Sequence, residues 1–418
     1  MTKCTTDRQA ALAAATVLII GMVAAVGAGK LPPALMLLAA QFDMTLFEAS
    51  FLIGLFQFGG ALGGVFFGTL ADRFGHRNIM QAGMAMTLVG IVLALSAQSS
   101  TQLLVSRAIE SIGFMFTVLP GPAVLRQVIA PARLKLWLGG WGTYMPVGFA
   151  LALLAGPWLM QAGARLTGAG QPQWAAVWGA HGLLIIMCWV ALRLILPIPV
   201  ARTDSYAGAA PRFVSLLSRT LRSRGPWLLA GLFAAYAGQY LSIVSFLPTI
   251  YEQAGLSLAA AGALTALVAG INLFGNLAAG RLTQRGINPG AMLMLASIAL
   301  LLGAWLVFLT ELSFAVRYAC VVAMSACIGL IPGTLFVLAP RYAPDTATVS
   351  STVGLMQQGS SAGQLLLPPL VAWSAGLAGG WSNAGWVLGA MALLNLLLAA
   401  VIWLRERPGQ TDAAQANG

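Results

Sequence analysis

Twelve apolar stretches, each long enough to cross a lipid bilayer as a helix, are spread along almost the whole chain. They occupy residues 11–40, 46–70, 79–97, 103–125, 134–160, 174–196, 226–251, 258–279, 291–310, 314–340, 349–370 and 381–404. About twenty apolar residues suffice to span the hydrocarbon layer. Of the 418 residues, 59% are hydrophobic and only 8% are charged, a composition that soluble domains do not have. The sequence therefore predicts an all-α membrane protein with twelve transmembrane helices.

Basic residues are distributed unevenly between the two sides of this predicted topology. An even number of spans places both termini on one side, and 18 of the 22 Lys and Arg residues fall on that side. Because basic residues accumulate in cytoplasmic loops, we predict cytoplasmic termini and a multi-pass protein of the cytoplasmic (inner) membrane. This bias explains most of the net charge of +11 without nucleic acid as a partner. Arg outnumbers Lys 19 to 3, a usage that suggests a bacterial source.

A long polar stretch divides the spans into two sets of six. Short motifs recur on either side of it 212 residues apart, since GTLADRFG at Gly68 is echoed by GRLTQRG at Gly280, and LPG at Pro120 by IPG at Pro332. Internal repeats of this kind are typical of transporters. We therefore predict an N-terminal six-helix bundle, a basic linker, a C-terminal six-helix bundle and a cytoplasmic tail, in residues 1–197, 198–225, 226–404 and 405–418.

Within the linker, residues 213–221 combine Arg with apolar side chains. This pattern predicts a short amphipathic helix on the anionic inner leaflet. A solvated linker that follows the positive-inside bias is an equal alternative.

A cluster of charged residues interrupts the apolar sequence between the second and third spans. The ten residues GTLADRFGHR, which begin at Gly68, resemble the loop between the second and third helices of the major facilitator superfamily, whose usual form is G-x-L-a-D-r-x-G-r-k. His76 departs from that pattern, and the second copy, GRLTQRG, contains no acidic residue. Together with twelve spans and a basic linker, the resemblance implies the major facilitator fold of two pseudo-symmetric six-helix bundles.

In that family the loop acts as a latch that holds one conformation until it is broken. The resemblance thus implies a conformational latch of five residues: Gly68, Asp72, Arg73, Gly75 and Arg77. Glycines permit close helix approach and a tight turn. Asp72 near a helix end can pair with basic groups or cap backbone amides. The alternative is a loop that sets topology by its positive charge alone.

Three ionisable residues lie inside predicted spans: Lys30, Arg107 and Glu110. Charges in the hydrocarbon region are costly unless they are paired or hydrated, so each marks a candidate functional site. Arg107 and Glu110 are three residues apart and share one helix face. Lys30 reaches a similar depth in the first span.

The resemblance places the first and fourth helices on one central cavity, which would bring Lys30 and Arg107 together. Two cations facing one carboxylate leave a surplus of positive charge, which favours an anionic substrate. Glu110 would then be the proton-coupling carboxylate. The alternative is a structural pair of Arg107 and Glu110, with Lys30 extended toward the membrane surface.

Polar and aromatic side chains in other spans are candidates to complete a substrate-binding pocket. They are Tyr144, Tyr236, Gln239, Tyr240, Asn272, Asn276 and Gln357. As a set facing Lys30 and Arg107 they would suit a small organic anion with a planar or apolar part. Each is also explained individually by helix packing or by an interfacial position.

These observations favour a secondary active transporter. The sequence has no nucleophile elbow, no nucleotide-binding loop and no His or Cys metal cluster, so we predict no enzyme activity, no cofactor and no metal site. We expect a monomer in the lipid bilayer that carries a small organic anion, a carboxylate, together with protons as a symporter by alternating access.

Two further resemblances bear on the substrate. Lys30 followed by Pro32 resembles the first helix of cyanate and nitroimidazole-type members of the superfamily. The alternative function is a proton-coupled exporter of drugs or amphipathic metabolites. The family's antiporters often carry a G-P-x-x-G-G pattern in the fifth helix, and AGPWLMQAG matches it only at Gly156 and Pro157.

Overall fold

Helices account for the regular structure of the chain. The computed structural model describes residues 7–63, 74–167, 172–196, 210–309 and 311–406, and no strand occurs within these ranges. Eleven of the described helical segments are long and apolar enough to cross a membrane. A further helix of 27 residues, Val349–Ala375, occupies the place of the remaining predicted span. The predicted all-α membrane fold is thus confirmed.

The chain divides into two compact units. The first comprises residues 1–207 and 244–266, and the second comprises residues 208–243 and 267–418. The division after residue 207 lies within the predicted linker, residues 198–225. Residues 244–266, which the sequence prediction assigns to the C-terminal bundle, belong instead to the first unit. In that unit, Gly262 lets its helix approach the Leu153 backbone, because a Cβ there would lie 2.6 Å from the Leu153 carbonyl oxygen.

The helices of the first half are α1 Asp7–Gly29, α2 Leu35–Gln41, α3 Leu46–Gly54, α4 His76–Leu95, α5 Ser100–Val118, α6 Gly121–Val128, α7 Pro131–Trp141, α8 Tyr144–Thr167 and α9 Ala175–Ile195. Within the first unit, α1 packs against α8, α9 and α5, and α4 packs against α5 and α9. Helix α1 is therefore central to this unit.

The helices of the second half are α10 Ala210–Arg222, α11 Arg224–Gln253, α12 Leu258–Gln284, α13 Pro289–Phe308, α14 Phe314–Ile328, α15 Leu330–Tyr342, α16 Val349–Ala375 and α17 Trp381–Arg405. Within the second unit, α13 packs against α17 and α14, and α16 packs against α17.

Several predicted spans consist of two helices rather than one. The first span breaks after Gly29, where Pro32 and Pro33 form a 3-10 turn, because proline has no N–H to continue the helical bonding. The fourth span breaks at Pro120, between α5 and α6. The second span contains a 3-10 turn at Leu55–Gln57. Backbone groups freed by such breaks need partners inside the protein.

One face of α9 carries the apolar surface expected of a membrane helix. Its exposed large residues recur at helical spacing, at Leu183, Ile186, Met187, Val190 and Leu194. The opposite face is buried and includes Trp178 and His181. An apolar outer face is suited to lipid, and the buried face carries the imidazole of His181 into the interior of the unit.

The predicted repeat is visible in two ion pairs. Asp7, at the start of α1, lies 3.5 Å from Arg133 in α7. Arg219 in α10 lies 2.7 Å from Asp345. Residues 219 and 345 follow residues 7 and 133 by 212 positions, which is the offset of the sequence motifs. The two units thus carry an ion pair at corresponding positions, with the acidic and basic residues exchanged.

Helix α10 confirms the helix predicted within the linker and extends it to Ala210–Arg222. Thr220 Oγ1 lies 2.6 Å from Ser351 Oγ at the start of α16. Trp227 Nε1 donates to the Leu221 carbonyl oxygen at 2.8 Å. These contacts attach the linker helix to the second unit.

Asp345 also caps the turn that begins α16, because its carboxylate accepts from the Thr348 backbone N–H at 3.0 Å. We expect Asp345→Ala to cost about 1 kcal/mol through loss of this cap. Asp345→Asn should keep the cap and lose only the exposed ion pair with Arg219, which is worth about 0–1 kcal/mol. Denaturation of the two variants in detergent checks the order, and equal stability would contradict the capping role.

Candidate functional site

The site begins at the break in the first span. Because α1 ends at Gly29, its last carbonyls have no partner within the helix. Lys30 follows directly, and its side chain is fully buried. The sequence thus places a cation and free carbonyl oxygens at one level of the first unit.

Lys30 meets the carboxylate of Glu110, as the shared depth predicted. Lys30 Nζ lies 3.0 Å from Glu110 Oε2 and 3.1 Å from Oε1. Arg107 Nη1 lies 2.8 Å from Glu110 Oε2, in the predicted i, i+3 pair. One carboxylate therefore bridges two cations, and the three side chains form the charged cluster of the first unit.

Arg107 also binds the backbone of two broken helices. Its Nη1 donates to the Gly27 carbonyl oxygen and its Nε donates to the Leu52 carbonyl oxygen, each at 3.1 Å. Gly27 lies in the last turn of α1 and Leu52 in the last turn of α3. The planar guanidinium has several donors in a fixed arrangement, which suits it to several acceptors at once. Its Cζ also lies over the Phe56 ring, 4.8 Å from the centroid, which is a cation–π contact.

Ser111 makes hydrogen bonds to the backbone of the 3-10 turn Leu55–Gln57 and of the residues that follow it. Its hydroxyl donates to the Phe56 carbonyl oxygen at 2.8 Å and accepts from the Gly59 N–H at 2.9 Å. Arg107 and Ser111, one turn apart on α5, thus hold the irregular part of the second span.

Two residues of α9 complete the surroundings of Lys30. His181 Nδ1 lies 3.3 Å from Lys30 Nζ, and His181 Nε2 lies 3.0 Å from the Val23 carbonyl oxygen. The Trp178 ring centroid lies 4.4 Å from the same ammonium, which is a cation–π contact. Sequence analysis did not select either residue. His181 could have been found as a histidine inside an apolar span, because its ring nitrogens need hydrogen-bond partners there.

The charged cluster is closed in this conformation. Lys30, Arg107 and Glu110 each have 0% exposure. Two cations and one carboxylate give a net charge of +1 within a membrane-spanning region. Burying charge is strongly unfavourable unless it is paired and hydrogen-bonded. Arg107 Nη2 has no hydrogen-bond partner among the described residues, so the cluster keeps one unused donor.

Among the other predicted pocket residues, Tyr144 lies in the first unit. Its ring packs against Trp141 and Phe114, with centroids 4.8 Å and 6.4 Å away. The structure shows no contact between Tyr144 and the charged cluster among its described interactions. The remaining predicted residues lie in the second unit and form a separate group.

That group is centred on Tyr236, Tyr240 and Asn272. The Tyr236 hydroxyl donates to Asn272 Oδ1 at 3.4 Å, and the Tyr240 hydroxyl donates to the Ala269 carbonyl oxygen at 3.3 Å. The two tyrosine rings stack with centroids 6.0 Å apart. Asn272 Nδ2 donates to the Ser325 carbonyl oxygen at 3.0 Å. The structure thus joins three of the predicted residues.

The other three predicted residues of the second unit are placed differently. Gln239 is fully buried and donates to the Ala235 carbonyl oxygen, while its Oε1 has no partner among the described residues. Asn276 is half-buried, and Gln357 is exposed. These three form no common group with Tyr236 in the described contacts.

Two of the five predicted latch residues, Gly75 and Arg77, lie within the described part of the chain. Gly68, Asp72 and Arg73 lie outside the described residues. Gly75 has φ +88°, a conformation that favours glycine, and it precedes α4. Arg77 Nη2 donates to the Arg193 carbonyl oxygen in the last turn of α9 at 3.3 Å, where a cation complements the helix dipole. The latch role itself stays a prediction.

The second unit repeats the hydrogen bonds of the site without its charges. Ser111 donates to the Phe56 carbonyl oxygen, and Ser325 donates to the Val268 carbonyl oxygen, with 212 residues between the two acceptors. His181 contacts the Val23 carbonyl oxygen, and Asn395 donates to that of Leu232 at 3.1 Å. The described contacts of this second network involve neutral groups.

A metal site has no support in the described part of the chain, where no three His, Cys, Asp or Glu side chains are grouped to hold an ion.

A helical membrane protein whose halves repeat one another, with ionisable side chains buried in one of them, has the architecture of a secondary transporter.

Comparison with known proteins identifies the family. The sequence profile of the Major Facilitator Superfamily matches residues 17–362, and the chain belongs to this superfamily of transporters. The probable nitrate/nitrite transporter NarK2 of Mycobacterium tuberculosis is 27% identical over 342 residues, which are 80% of this chain and 81% of that protein.

Solved structures show the same fold. A bacterial homologue of the human lysosomal transporter Spinster, in an inward-facing and unoccupied conformation, aligns with a TM-score of 0.76 at 18% identity, over 97% of this chain and 99% of that one. The nucleoside transporter NupG, as a variant, aligns with a TM-score of 0.72 at 10% identity, over 94% and 100%. The resemblance to the major facilitator fold is therefore confirmed.

Proposed function

We propose that this transporter carries a small anion across the cytoplasmic membrane by alternating access, together with protons. The observation that carries the proposal is the charged cluster, in which Lys30 and Arg107 share the single carboxylate of Glu110. A buried surplus of one positive charge is stabilised by any anion that reaches it. Arg107 Nη2 supplies a free donor for that anion.

The named relative supports an anionic substrate. NarK2 of Mycobacterium tuberculosis is described as a probable transporter of nitrate and nitrite, which are small planar anions. Carboxylates share the delocalised charge and the planar oxygen pair that a guanidinium recognises. We therefore place small carboxylates first among the candidate substrates, with nitrate and nitrite beside them.

Coupling to protons follows from competition for the two cations. Glu110 occupies the acceptor positions that an anion would take at Lys30 and Arg107. Protonation of Glu110 removes its negative charge and frees those donors, so a proton and an anion favour each other's binding. Such coupling is reciprocal, because each ligand raises the affinity for the other by the same factor. The result is symport.

Two further parts of the proposal concern orientation and control. The positive-inside bias supports a bacterial inner-membrane protein with both termini in the cytoplasm. Asp72 and its neighbours, including Gly75 and Arg77, are proposed to act as a latch that holds one conformation. The transporter is proposed to work as a monomer and without a cofactor.

The first test is thermal stabilisation of the purified protein by ligands. A ligand at about 100 times its Kd stabilises the folded state by about 2.7 kcal/mol. We expect formate, acetate, nitrate or nitrite to raise the melting temperature, more strongly at lower pH. Lys30→Ala should abolish this shift, while Arg165→Ala, which removes an exposed cation at the end of α8, should leave it unchanged.

Two results would contradict the proposal. One is a panel in which no anion stabilises the wild type. The other is stabilisation by lipophilic cations such as tetraphenylphosphonium in place of anions, which would make the charged cluster structural and favour the exporter.

A further inference from the structure

The contacts of His181 define which of its nitrogens carries the proton. Nε2 lies 3.0 Å from the Val23 carbonyl oxygen, which can only accept a hydrogen bond. Nε2 is therefore the donor. Nδ1, 3.3 Å from Lys30 Nζ, presents a lone pair that accepts from the ammonium. The imidazole is therefore neutral, and the Val23 carbonyl oxygen fixes the tautomer that carries its proton on Nε2.

Lys30 consequently has two kinds of acceptor. Its three N–H donors face the charged oxygens of Glu110 and the neutral Nδ1 of His181. The Trp178 ring adds a cation–π contact at 4.4 Å. Helix α9 thus supplies two groups, one turn apart, that stabilise the ammonium without adding negative charge.

The opposite side of His181 is apolar. It borders a cavity of about 270 Å³ whose other lining side chains, from α1, α8 and α9, include Val26, Leu151 and Leu184. Among the described residues that line this cavity, His181 is the one with an ionisable side chain. The charged groups that face His181 are Lys30 and, beyond it, Arg107 and Glu110.

We propose that His181 is a positioning residue that keeps the Lys30 ammonium in place while Glu110 gives way to the anion. This inference rests on the proposed function. When Glu110 is protonated or displaced, Lys30 loses its charged acceptor, and its flexible four-carbon stem can turn away. The lone pair of His181 and the ring of Trp178 remain in position, so the ammonium stays where the anion binds.

A neutral acceptor is suited to this role. A second carboxylate at the position of His181 would also hold Lys30, but it would cancel the surplus positive charge that attracts the anion. A hydrocarbon side chain would leave Glu110 as the remaining hydrogen-bond acceptor of the ammonium. Lys30 would then bind Glu110 more tightly, and both protonation of Glu110 and entry of the anion would become harder.

The test uses two amide variants that separate the two nitrogens of the ring. His181→Asn places its side-chain oxygen near the position of Nδ1, where it can accept from Lys30. His181→Gln places its amide near the position of Nε2, where it can bind Val23 and leaves Lys30 without its neutral acceptor. The full-length proteins are purified, and melting temperatures are measured with formate and nitrate across a range of pH.

We expect His181→Asn to keep anion affinity within about threefold of wild type, while His181→Gln loses about tenfold, as expected for one hydrogen bond to a charged group. The pH of half-maximal anion binding should move to lower values in His181→Gln only. A loss of packing would lower the melting temperature of both variants without moving that pH.

The outcomes separate the two proposals. If formate and nitrate stabilise the wild type and His181→Gln retains wild-type affinity and pH dependence, the role of His181 is wrong and the proposed function stands. If both variants lose affinity equally, the acceptor at Nδ1 is not the feature that matters. If no anion stabilises the wild type, the proposed function fails and the role of His181 fails with it.

Discussion

Glu110→Gln should destabilise the protein by about 3–5 kcal/mol, because breaking a buried ion pair leaves uncompensated charge in the interior. The change keeps the shape of the side chain and removes its negative charge. Lys30 and Arg107, both fully buried, would then face each other's positive charge around a neutral amide. Thermal and chemical denaturation in detergent measures the effect.

Two control variants isolate its cause. Adding Lys30→Met to Glu110→Gln returns the net charge of the cluster to +1, so the double variant should recover part of the lost stability. Glu311→Gln, which removes an exposed carboxylate, should change stability little. A Glu110→Gln protein that melts at the wild-type temperature would contradict the charge balance described for the cluster.

The same variant should respond unusually strongly to anions. With Glu110 neutral, Lys30 and Arg107 have no internal counter-charge, and a bound anion restores it. We expect anion-induced stabilisation of Glu110→Gln to exceed that of wild type and to lose its dependence on pH, because the competing carboxylate no longer titrates.

Much of the charged cluster could be predicted from the sequence. The i, i+3 spacing of Arg107 and Glu110 places them on one helix face whatever surrounds them. The depth of Lys30 follows from its distance along an apolar span. Pro32 and Pro33 indicate where the first helix must break. These features depend only on helical geometry and on the chemistry of proline.

The partners of the cluster could not be predicted in the same way. Which neighbour faces Lys30 depends on the rotation of α9 about its own axis, and that rotation is set by packing along its whole length. The 3-10 turn at Leu55–Gln57 contains no proline, so the sequence does not predict a break in the second span there. The hydrogen bonds at this point come from α5: Arg107 donates to the Leu52 carbonyl oxygen just before the turn, and Ser111 donates to the Phe56 carbonyl oxygen within it.

In the second unit, the sequence identified polar residues within spans but could not tell which of them face one another. Polarity within a span was enough to select Tyr236, Tyr240 and Asn272, which the structure brings together. The same criterion also selected Gln357, which is exposed. Composition identifies polar residues in a membrane helix, but the direction in which each one points comes from tertiary packing.

Arg107→Lys should damage the transporter although it preserves the charge. Arg107 binds Glu110 and, at the same time, the carbonyl oxygens of Gly27 and Leu52. Lysine is a compact point charge and cannot hold acceptors along two directions of a planar fork. Each buried carbonyl left without a donor costs about 1–3 kcal/mol. We expect lower thermal stability and a large loss of uptake in proteoliposomes.

Arg107→Lys distinguishes the hydrogen-bonding geometry of the guanidinium from its positive charge. If Arg107 acted only as a cation for the anion, Arg107→Lys would keep most of the uptake, and the contacts to the broken helices would be incidental. Arg219→Lys, at the exposed pair with Asp345, provides the matched control, since a single exposed ion pair tolerates the exchange. Loss of uptake in Arg107→Lys alone would show that one arginine joins the ends of α1 and α3 to the carboxylate on which transport depends.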